Sequence, residues 1–318
     1  MEKIEIGWKY PEAIISCKWL QKNLGNKNLR IYDCTTFLHY TDDHPSKPYD
    51  VESGHQDYLR EHIPGASFLD LQIQISDPES QYKFTLPDIE RLSNSFGKLG
   101  IGDPYHIILY STNGLQWATR VWWMIYMLGY KKVSVLNGGL REWKRNNYDL
   151  ESGEKFYSRT EFSSSKNQGF FVGKEKTLDA MEDNNCILIN ALTSDIHNGE
   201  STRYGRPGRI PGSINIPFSD LMDMSTHMLK SPKEALSVFA KHNITKDSEI
   251  LNYCGGGIAA TLNAFVLYQL GFQKLKVYDN SLSEWAMEPH EFLKASNTGT
   301  VPCLKLKNKI IEIGRAHV

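Results

Sequence analysis

The sequence predicts an α/β protein made of two tandem domains, each with a parallel sheet covered by helices on both faces. Three observations lead to this prediction. Short apolar segments alternate with amphipathic segments, which is typical of parallel strands joined by helices. The motifs of the first half recur in the same order in the second half. The length of 318 residues also suits two domains of ordinary size.

The repeat is visible in three pairs of segments. These are LRIYDCT (29–35) with CILINALT (186–193), HIPGASFLDL (62–71) with RIPGSINIPFSDL (209–221), and LGYKKVSVLNGGLREW (128–143) with LGFQKLKVYDNSLSEW (270–285). The two Ile-Pro-Gly turns lie 147 positions apart. The two tyrosines that end equivalent strands lie 143 positions apart, and the two tryptophans that end the third pair of segments lie 142 positions apart. This near-constant spacing indicates two copies of one domain.

Three apolar strands are predicted in each copy. They span 30–33, 107–110 and 133–136 in the first copy and 187–190, 250–253 and 275–278 in the second. The first pair of strands is 157 positions apart, so the N-terminal copy holds about ten extra residues. The segment HPSKPYDVES (44–53), with two prolines, is predicted to be this insertion and to form a surface loop. Whether it overhangs the other domain is left open.

The domain boundaries follow from these patterns. We place the N-terminal domain at 1–147 and a linker at 148–171, because that stretch lacks sustained apolar periodicity and contains three consecutive serines. The C-terminal domain, which is predicted to carry the catalytic residue, is placed at 172–300. The tail, 301–318, departs from the repeat.

Composition excludes several classes of partner. A net charge of −1 gives no reason to expect nucleic acid or an anionic membrane as a partner. The five cysteines are odd in number, widely spaced and without a CxxC pair, which argues against a disulfide framework and a zinc site. The N-terminal stretch lacks the apolar core of a signal peptide. We therefore expect a cytoplasmic protein with no metal and no cofactor.

Cys254 is the candidate nucleophile. It follows an apolar strand and precedes a helix, so it lies at the edge of the sheet where α/β proteins bind ligands. A helix N-terminus favours the reactive thiolate form. The backbone N–H groups of the next five residues are expected to hold the sulfur; these residues are Gly255, Gly256, Gly257, Ile258 and Ala259. The alternative is a small buried cysteine beside a glycine turn.

Essentially the whole chain resembles the two-domain sulfurtransferases of the rhodanese superfamily, which act on thiosulfate or 3-mercaptopyruvate. The resemblance rests on the motifs HIPGA (62–66), RVWW (120–123), GGLREW (138–143), RIPGSINIP (209–217) and the Cys254 loop. It implies two rhodanese-like domains and a Cys254 persulfide that carries sulfur from a small-molecule donor to cyanide or a thiol. Ser111 stands where the N-terminal copy would have the cysteine, so that copy is expected to be inactive.

The chain departs from the family pattern around the donor site. The family's Asp-Ala-Arg is replaced by Asn190-Ala191-Leu192, and a second family arginine is replaced by Ile196. Gly256 replaces the serine of mercaptopyruvate-type members, and the basic residues of thiosulfate-type members are also absent.

Replacement positive charge is available before the second Ile-Pro-Gly turn. We expect Arg203, Arg206 and Arg209 to supply the donor site with cations, because guanidinium binds sulfonate or carboxylate well. The alternative is a solvated basic loop. His62, which corresponds to Arg209 in the first copy, is interpreted as structural because the serine that would partner it in the family is missing.

Two other functions compete with sulfur transfer. A cysteine phosphatase of this fold needs an arginine at position 260, and the residue there is Ala260. A persulfide carrier or docking module without turnover of its own stays open, because the two family arginines are missing.

Overall fold

The structure, a computed structural model, describes residues 7–41, 47–165, 169–242 and 244–286. These residues form two five-stranded parallel sheets and a separate two-stranded hairpin. The predicted α/β class is therefore confirmed. The tail and the end of the C-terminal domain, 287–318, lie outside the described residues.

The N-terminal sheet has the strand order β1-β7-β6-β2-β5. Its strands are β1 (Ile14–Ile15), β2 (Leu29–Asp33), β5 (Ser67–Phe68), β6 (His106–Tyr110) and β7 (Val133–Leu136). The helices of this half are α1 (Cys17–Asn23), α2 (His55–Arg60), α3 (Leu71–Gln74), α4 (Ile89–Leu99), α5 (Gln116–Met127) and α6 (Gly139–Arg145), preceded by a 3₁₀ turn at Pro11–Ala13.

The C-terminal sheet repeats this order as β8-β12-β11-β9-β10. Its strands are β8 (Phe171–Val172), β9 (Cys186–Asn190), β10 (Ile214–Asn215), β11 (Glu249–Tyr253) and β12 (Leu275–Tyr278). Its helices are α7 (Lys174–Glu182), α8 (Ser194–Asn198), α9 (Pro232–Ala240), α10 (Ala259–Gln269) and α11 (Ser281–Trp285), with a 3₁₀ turn at Phe218–Leu221. The matching strand orders support the two copies inferred from the sequence.

The central strands are buried on both faces. All five residues of β2 are buried, although successive strand residues point to opposite faces of the sheet. The register aligns the ends of neighbouring strands, since Asp33 pairs with Tyr110 and Asn190 with Tyr253. The residues that follow these strands therefore lie side by side at one edge of each sheet.

The expectation of a surface loop over 44–53 is wrong for its second half. Strand β4 (Tyr49–Ser53) pairs antiparallel with β3 (Thr36–Tyr40) to form a hairpin. Tyr49 begins β4 and is 4% exposed, because its ring packs between aromatic residues of both halves. Prolines at 45 and 48 precede the paired stretch, so they do not remove a donor from it.

Much of the segment predicted as a linker, 148–171, contacts the N-terminal half, whereas Phe171 at its end begins β8 of the C-terminal sheet. Glu151 forms a bridge with His62, Ser158 accepts a hydrogen bond from Arg30, and Thr160 donates to Gly97. These contacts are made by backbone and polar groups, which explains the lack of apolar periodicity there.

The two halves face each other through equivalent surfaces. Helix α5 packs on α10, where the hydroxyls of Thr119 and Thr261 are 2.9 Å apart and those of Tyr126 and Tyr268 are 2.7 Å apart. Each pair is separated by 142 positions, which is the spacing of the repeat. The halves are therefore related by an approximate two-fold axis between α5 and α10, in the manner of an isologous dimer.

Candidate active site

The Cys254 loop, residues 254–258, joins the end of β11 to the start of α10. Its position at the carboxyl end of a central parallel strand agrees with the sequence prediction. The Cys254 N–H donates to Ser281 Oγ at 3.0 Å. The Cys254 and Gly255 carbonyls accept from Leu282 and Ser283 N–H at 3.1 and 2.8 Å. Helix α11 therefore anchors the start of the loop.

These anchors orient the N–H groups of the loop. In a trans peptide the carbonyl and the following N–H point in opposite directions. Because the carbonyls of Cys254 and Gly255 point at α11, the N–H groups of Gly255 and Gly256 point away from it. The Gly257 carbonyl accepts from Arg120 Nη1 at 3.3 Å, so the Ile258 N–H points away from that guanidinium. The loop can thus offer the N–H groups of Gly255, Gly256 and Ile258 to an anion, while the role of all five residues 255–259 stays a prediction.

Ser281 is a positioning residue that sequence reasoning missed. Its φ is +51°, in the left-handed region, where the equivalent Gly139 of the N-terminal copy has φ +54°. A side chain costs free energy in that region. The serine hydroxyl compensates by accepting from Cys254 N–H and donating to the Tyr278 carbonyl at 2.7 Å.

Arg120 connects the Cys254 loop to the N-terminal half. Its side chain is fully buried, with Nη2 2.7 Å from Asp279 Oδ1. Nη2 also donates to the Phe84 carbonyl at 2.6 Å, and the second Asp279 oxygen accepts from Leu86 N–H at 2.7 Å. The sequence singled out the Arg-Val-Trp-Trp segment as a motif, whereas its contact with the loop depends on how the halves pack.

An aromatic cover, made of Tyr49, Phe84 and Tyr204, lies over the Cys254 loop. Tyr49 packs against the other two rings with centroid distances of 6.3 and 6.5 Å. Tyr49 and Phe84 come from the N-terminal half and Tyr204 from the C-terminal half, so the site is shared between them. Cys254 is only 1% exposed beneath this cover. Cys254 is therefore shielded from solvent.

The two phenol oxygens of the cover touch the glycines of the loop. A Cβ on Gly255 would lie 1.9 Å from Tyr204 Oη, and one on Gly256 would lie 2.6 Å from Tyr49 Oη. Gly257 has φ +70°, and a Cβ there would lie 2.2 Å from the Asp279 carbonyl. The three glycines are therefore required by close approach at 255 and 256, and by both backbone angle and close approach at 257.

Both phenols remain protonated under ordinary conditions. Burial raises the pKa of Tyr49; a hydrogen bond with the Ser283 side chain opposes that rise, and negative charge at Cys254 adds to it. Burial also raises the pKa of Tyr204 well above its usual value, with charges at Tyr49 and Cys254 among the further causes. Each phenol is therefore a neutral O–H group packed against the main chain of the loop.

The three arginines of the sequence prediction lie in different surroundings. Arg203 places its guanidinium carbon 3.9 Å from the ring centre of Tyr40, which neighbours Tyr49. Arg206 donates to the Trp285 and Ala286 carbonyls at 2.8 and 2.9 Å.

Arg209 Nη1 donates to the His197 carbonyl at 3.1 Å. Burial, together with this nearby charge, lowers the pKa of His197 to about 4. The contacts of Arg206 and Arg209 hold secondary structure together. Arg203 is placed beside Tyr40, an aromatic neighbour of Tyr49.

The corresponding site of the N-terminal copy is closed. Ser111 is buried and its hydroxyl donates to the Gly114 carbonyl within the same turn. His62 is buried, stacks on Tyr58 and makes a 2.7 Å hydrogen bond with the Tyr58 carbonyl through Nδ1. These contacts agree with the interpretation of His62 as structural.

The rhodanese-like domain family matches residues 16–146 and 174–288. The chain belongs to the rhodanese family. It is 31% identical to human 3-mercaptopyruvate sulfurtransferase, over 86% of this chain and 92% of the human protein. It is also 31% identical to thiosulfate/3-mercaptopyruvate sulfurtransferase 2 of Arabidopsis thaliana, over 88% of this chain and 85% of that protein.

The rhodanese fold is also found by structural comparison. The crystal structure of SseA from Escherichia coli, described as a 3-mercaptopyruvate sulfotransferase, superposes with a TM-score of 0.73. It is 29% identical, and the match covers 85% of this chain and 98% of SseA. The resemblance drawn from the sequence motifs is therefore confirmed. Among the described residues, none of the helices has both the length and the apolar character needed to cross a membrane.

Proposed function

We propose that this rhodanese-family chain transfers a sulfane sulfur through a persulfide on Cys254. That it is a sulfurtransferase enzyme follows from its family and from the curated relatives that share most of its length. The observation that carries the role of Cys254 is its loop, where fixed carbonyls turn the backbone N–H groups of residues 255, 256 and 258 away from their anchors. These groups act on a sulfur anion as an oxyanion hole acts on oxygen.

The first half-reaction loads the cysteine. The Cys254 thiolate attacks the outer sulfur of thiosulfate; the S–S bond of the donor breaks, and its electron pair leaves with sulfite. With 3-mercaptopyruvate, the S–C bond breaks instead, and the leaving enolate takes a proton, balanced by loss of the thiol proton, to give pyruvate. Both routes leave a persulfide anion on Cys254.

The second half-reaction removes the outer sulfur from Cys254. Cyanide or a thiolate attacks the terminal sulfur, the S–S bond breaks, and the electron pair returns to Cys254 as thiolate. Because the two half-reactions share only the persulfide, the kinetics are ping-pong. No metal or cofactor is required by this scheme.

The donor is proposed to bind through arginine, as the sequence suggested for Arg203, Arg206 and Arg209. The position of Arg203 against Tyr40 supports it best, since its guanidinium neighbours the aromatic residues at the site. Arg206 and Arg209 already bind backbone carbonyls and would act on the donor indirectly. The proposed donors are thiosulfate and 3-mercaptopyruvate, and the cytoplasm is the proposed compartment, because the four cysteines among the described residues are all free thiols.

Thiocyanate formation tests the proposal. Purified protein is mixed with each donor and cyanide, and the Cys254→Ser protein serves as the blank. Many turnovers in the wild type and none in the variant support the enzyme. Stoichiometric loading of Cys254 without turnover would favour a persulfide carrier, and full activity of the variant would overturn the role of Cys254.

A further inference from the structure

The Cys254 loop lacks the side chains that the family uses there, yet the space above it is filled. Tyr49 and Tyr204 are each 4% exposed, and their hydroxyl oxygens occupy the positions where side chains on Gly256 and Gly255 would begin. A serine at 256 and the phenol of Tyr49 therefore cannot both be present without one moving. The same conflict holds for any side chain at 255 and Tyr204.

The two tyrosines reach the loop from different halves of the chain. Tyr49 begins the hairpin strand β4, and Tyr204 lies in the segment before the second Ile-Pro-Gly turn. Negative charge at Cys254 is among the causes that raise the pKa of Tyr49 and that of Tyr204. Both hydroxyls thus lie against the main chain of the two residues that follow Cys254.

We propose that Tyr49 and Tyr204 are catalytic residues whose hydroxyls donate hydrogen bonds to the sulfur carried by Cys254, in place of the side chains missing from its loop. The inference rests on the proposed persulfide. A persulfide anion bears its charge on the terminal sulfur, and neutral O–H donors in a water-poor site stabilise such a charge strongly. In the second half-reaction the same donors stabilise the Cys254 thiolate as the S–S bond breaks.

Removal of single hydroxyls tests the proposal. Tyr49→Phe and Tyr204→Phe keep the rings of the cover, and the double variant removes both donors. Tyr130→Phe is the matched control, because its buried hydroxyl binds the Tyr105 carbonyl outside the site. We expect each single variant to lower kcat/KM for thiocyanate formation about 10- to 100-fold, as for loss of one hydrogen bond to a charged group. The control should change kcat/KM by less than about twofold.

The lifetime of the persulfide provides a readout that packing alone would not move. Protein loaded with thiosulfate, freed of donor and left without acceptor, is sampled by mass spectrometry for the sulfur adduct on Cys254. We expect the adduct to decay several-fold faster in the Tyr→Phe variants than in the control. Thermal unfolding is measured in parallel. If Tyr49→Phe does not fold, Gly256→Ala takes its place, because it displaces the Tyr49 hydroxyl while the tyrosine is retained.

The outcomes separate this inference from the function on which it rests. If the phenylalanine variants match Tyr130→Phe in kcat/KM and in adduct lifetime, the phenols are packing groups and the inference is wrong. The proposed function would survive that result, provided that Cys254→Ser is inactive. An active Cys254→Ser protein would remove the function itself.

Discussion

Replacement of Arg120 by Met would remove the charge that joins the two halves beside the Cys254 loop. The side chain is fully buried, and Asp279, its partner at 2.7 Å, is 11% exposed at the side chain. Methionine fills a similar volume but leaves the Asp279 carboxylate with the hydrogen bond from the Leu86 N–H and no opposing charge from position 120. It also leaves the Phe84 and Gly257 carbonyls without the guanidinium donor.

The magnitude follows from burial. Breaking a buried pair by removing one partner costs about 3–5 kcal/mol, because an uncompensated charge stays in a poorly solvated place. Removing both charges costs less, so Arg120→Met with Asp279→Leu should be more stable than Arg120→Met alone. The exposed pair of Lys132 and Asp103, 2.8 Å apart, is the control, and Lys132→Met should cost less than about 1 kcal/mol.

Urea unfolding followed by tryptophan fluorescence measures these differences. Thiocyanate formation by Arg120→Met should also fall at temperatures where the protein remains folded, because the Gly257 carbonyl has lost its donor. A free energy of unfolding for Arg120→Met within about 1 kcal/mol of the wild type, equal to that of Lys132→Met, would refute the assignment of a buried ion pair.

Three further predictions concern the loop, the arginines and pH. Gly256→Ala should lower the free energy of unfolding by about 1–3 kcal/mol, because the new Cβ meets the Tyr49 hydroxyl. Adding Tyr49→Phe should restore this stability, since the next atoms are 3.8 Å from the new Cβ, but should not restore the activity. If urea unfolding shows no coupling between the two substitutions, the steric conflict between an alanine side chain at position 256 and the Tyr49 hydroxyl is contradicted. Arg206→Ala should lower stability with little change in KM for the donor, whereas Arg203→Ala should raise that KM by about tenfold. Steady-state kinetics measure the KM and thermal unfolding measures the stability. The reverse pattern would exchange the roles of the two arginines. Burial raises the pKa of Asp33 from 3.8 to about 6, so the folded state holds its proton more tightly than the unfolded chain, and stability is lost as pH rises from about 4 through 6. Relative to Asp33→Asn, the wild type should lose about 2 kcal/mol of unfolding free energy between pH 4 and 7 in urea unfolding, and parallel curves for the two proteins would contradict this.

The asparagine substitution in the last prediction is taken from the repeat itself. Asn190 occupies the position of Asp33 in the C-terminal copy, at the end of the equivalent strand. Its side-chain oxygen accepts from Leu192 N–H at 3.0 Å, just as Asp33 accepts from Thr35 N–H at 2.9 Å. The local geometry therefore accepts an uncharged amide, and the comparison isolates the effect of the charge.

Much of the fold could be predicted because it depends on local patterns. Every one of the six predicted strands lies within a strand of the structure, since buried parallel strands leave continuous apolar runs in the sequence. The tryptophans of the sequence motifs are also buried; these are Trp122, Trp123, Trp143 and Trp285. The position of Cys254 at the carboxyl end of a strand followed from the same reasoning.

The insertion could not be predicted in the same way. Its two prolines and polar composition indicated a loop, whereas Tyr49–Ser53 pairs with Thr36–Tyr40. Antiparallel pairing of a short segment depends on cross-strand partners, which local composition does not reveal. The only sequence signal was the interruption of the repeat spacing at this place.

By itself the sequence determined the duplicated α/β architecture, the loss of the cysteine in one copy and the candidate nucleophile in the other, because periodicity and motif spacing are properties of short segments. Only the tertiary structure decided what surrounds that nucleophile. Tyr49, Arg120 and Tyr204 come from segments far apart in the chain, and no pattern in the sequence places any of them beside Cys254. Their convergence on one glycine loop is a consequence of how the two halves pack across α5 and α10.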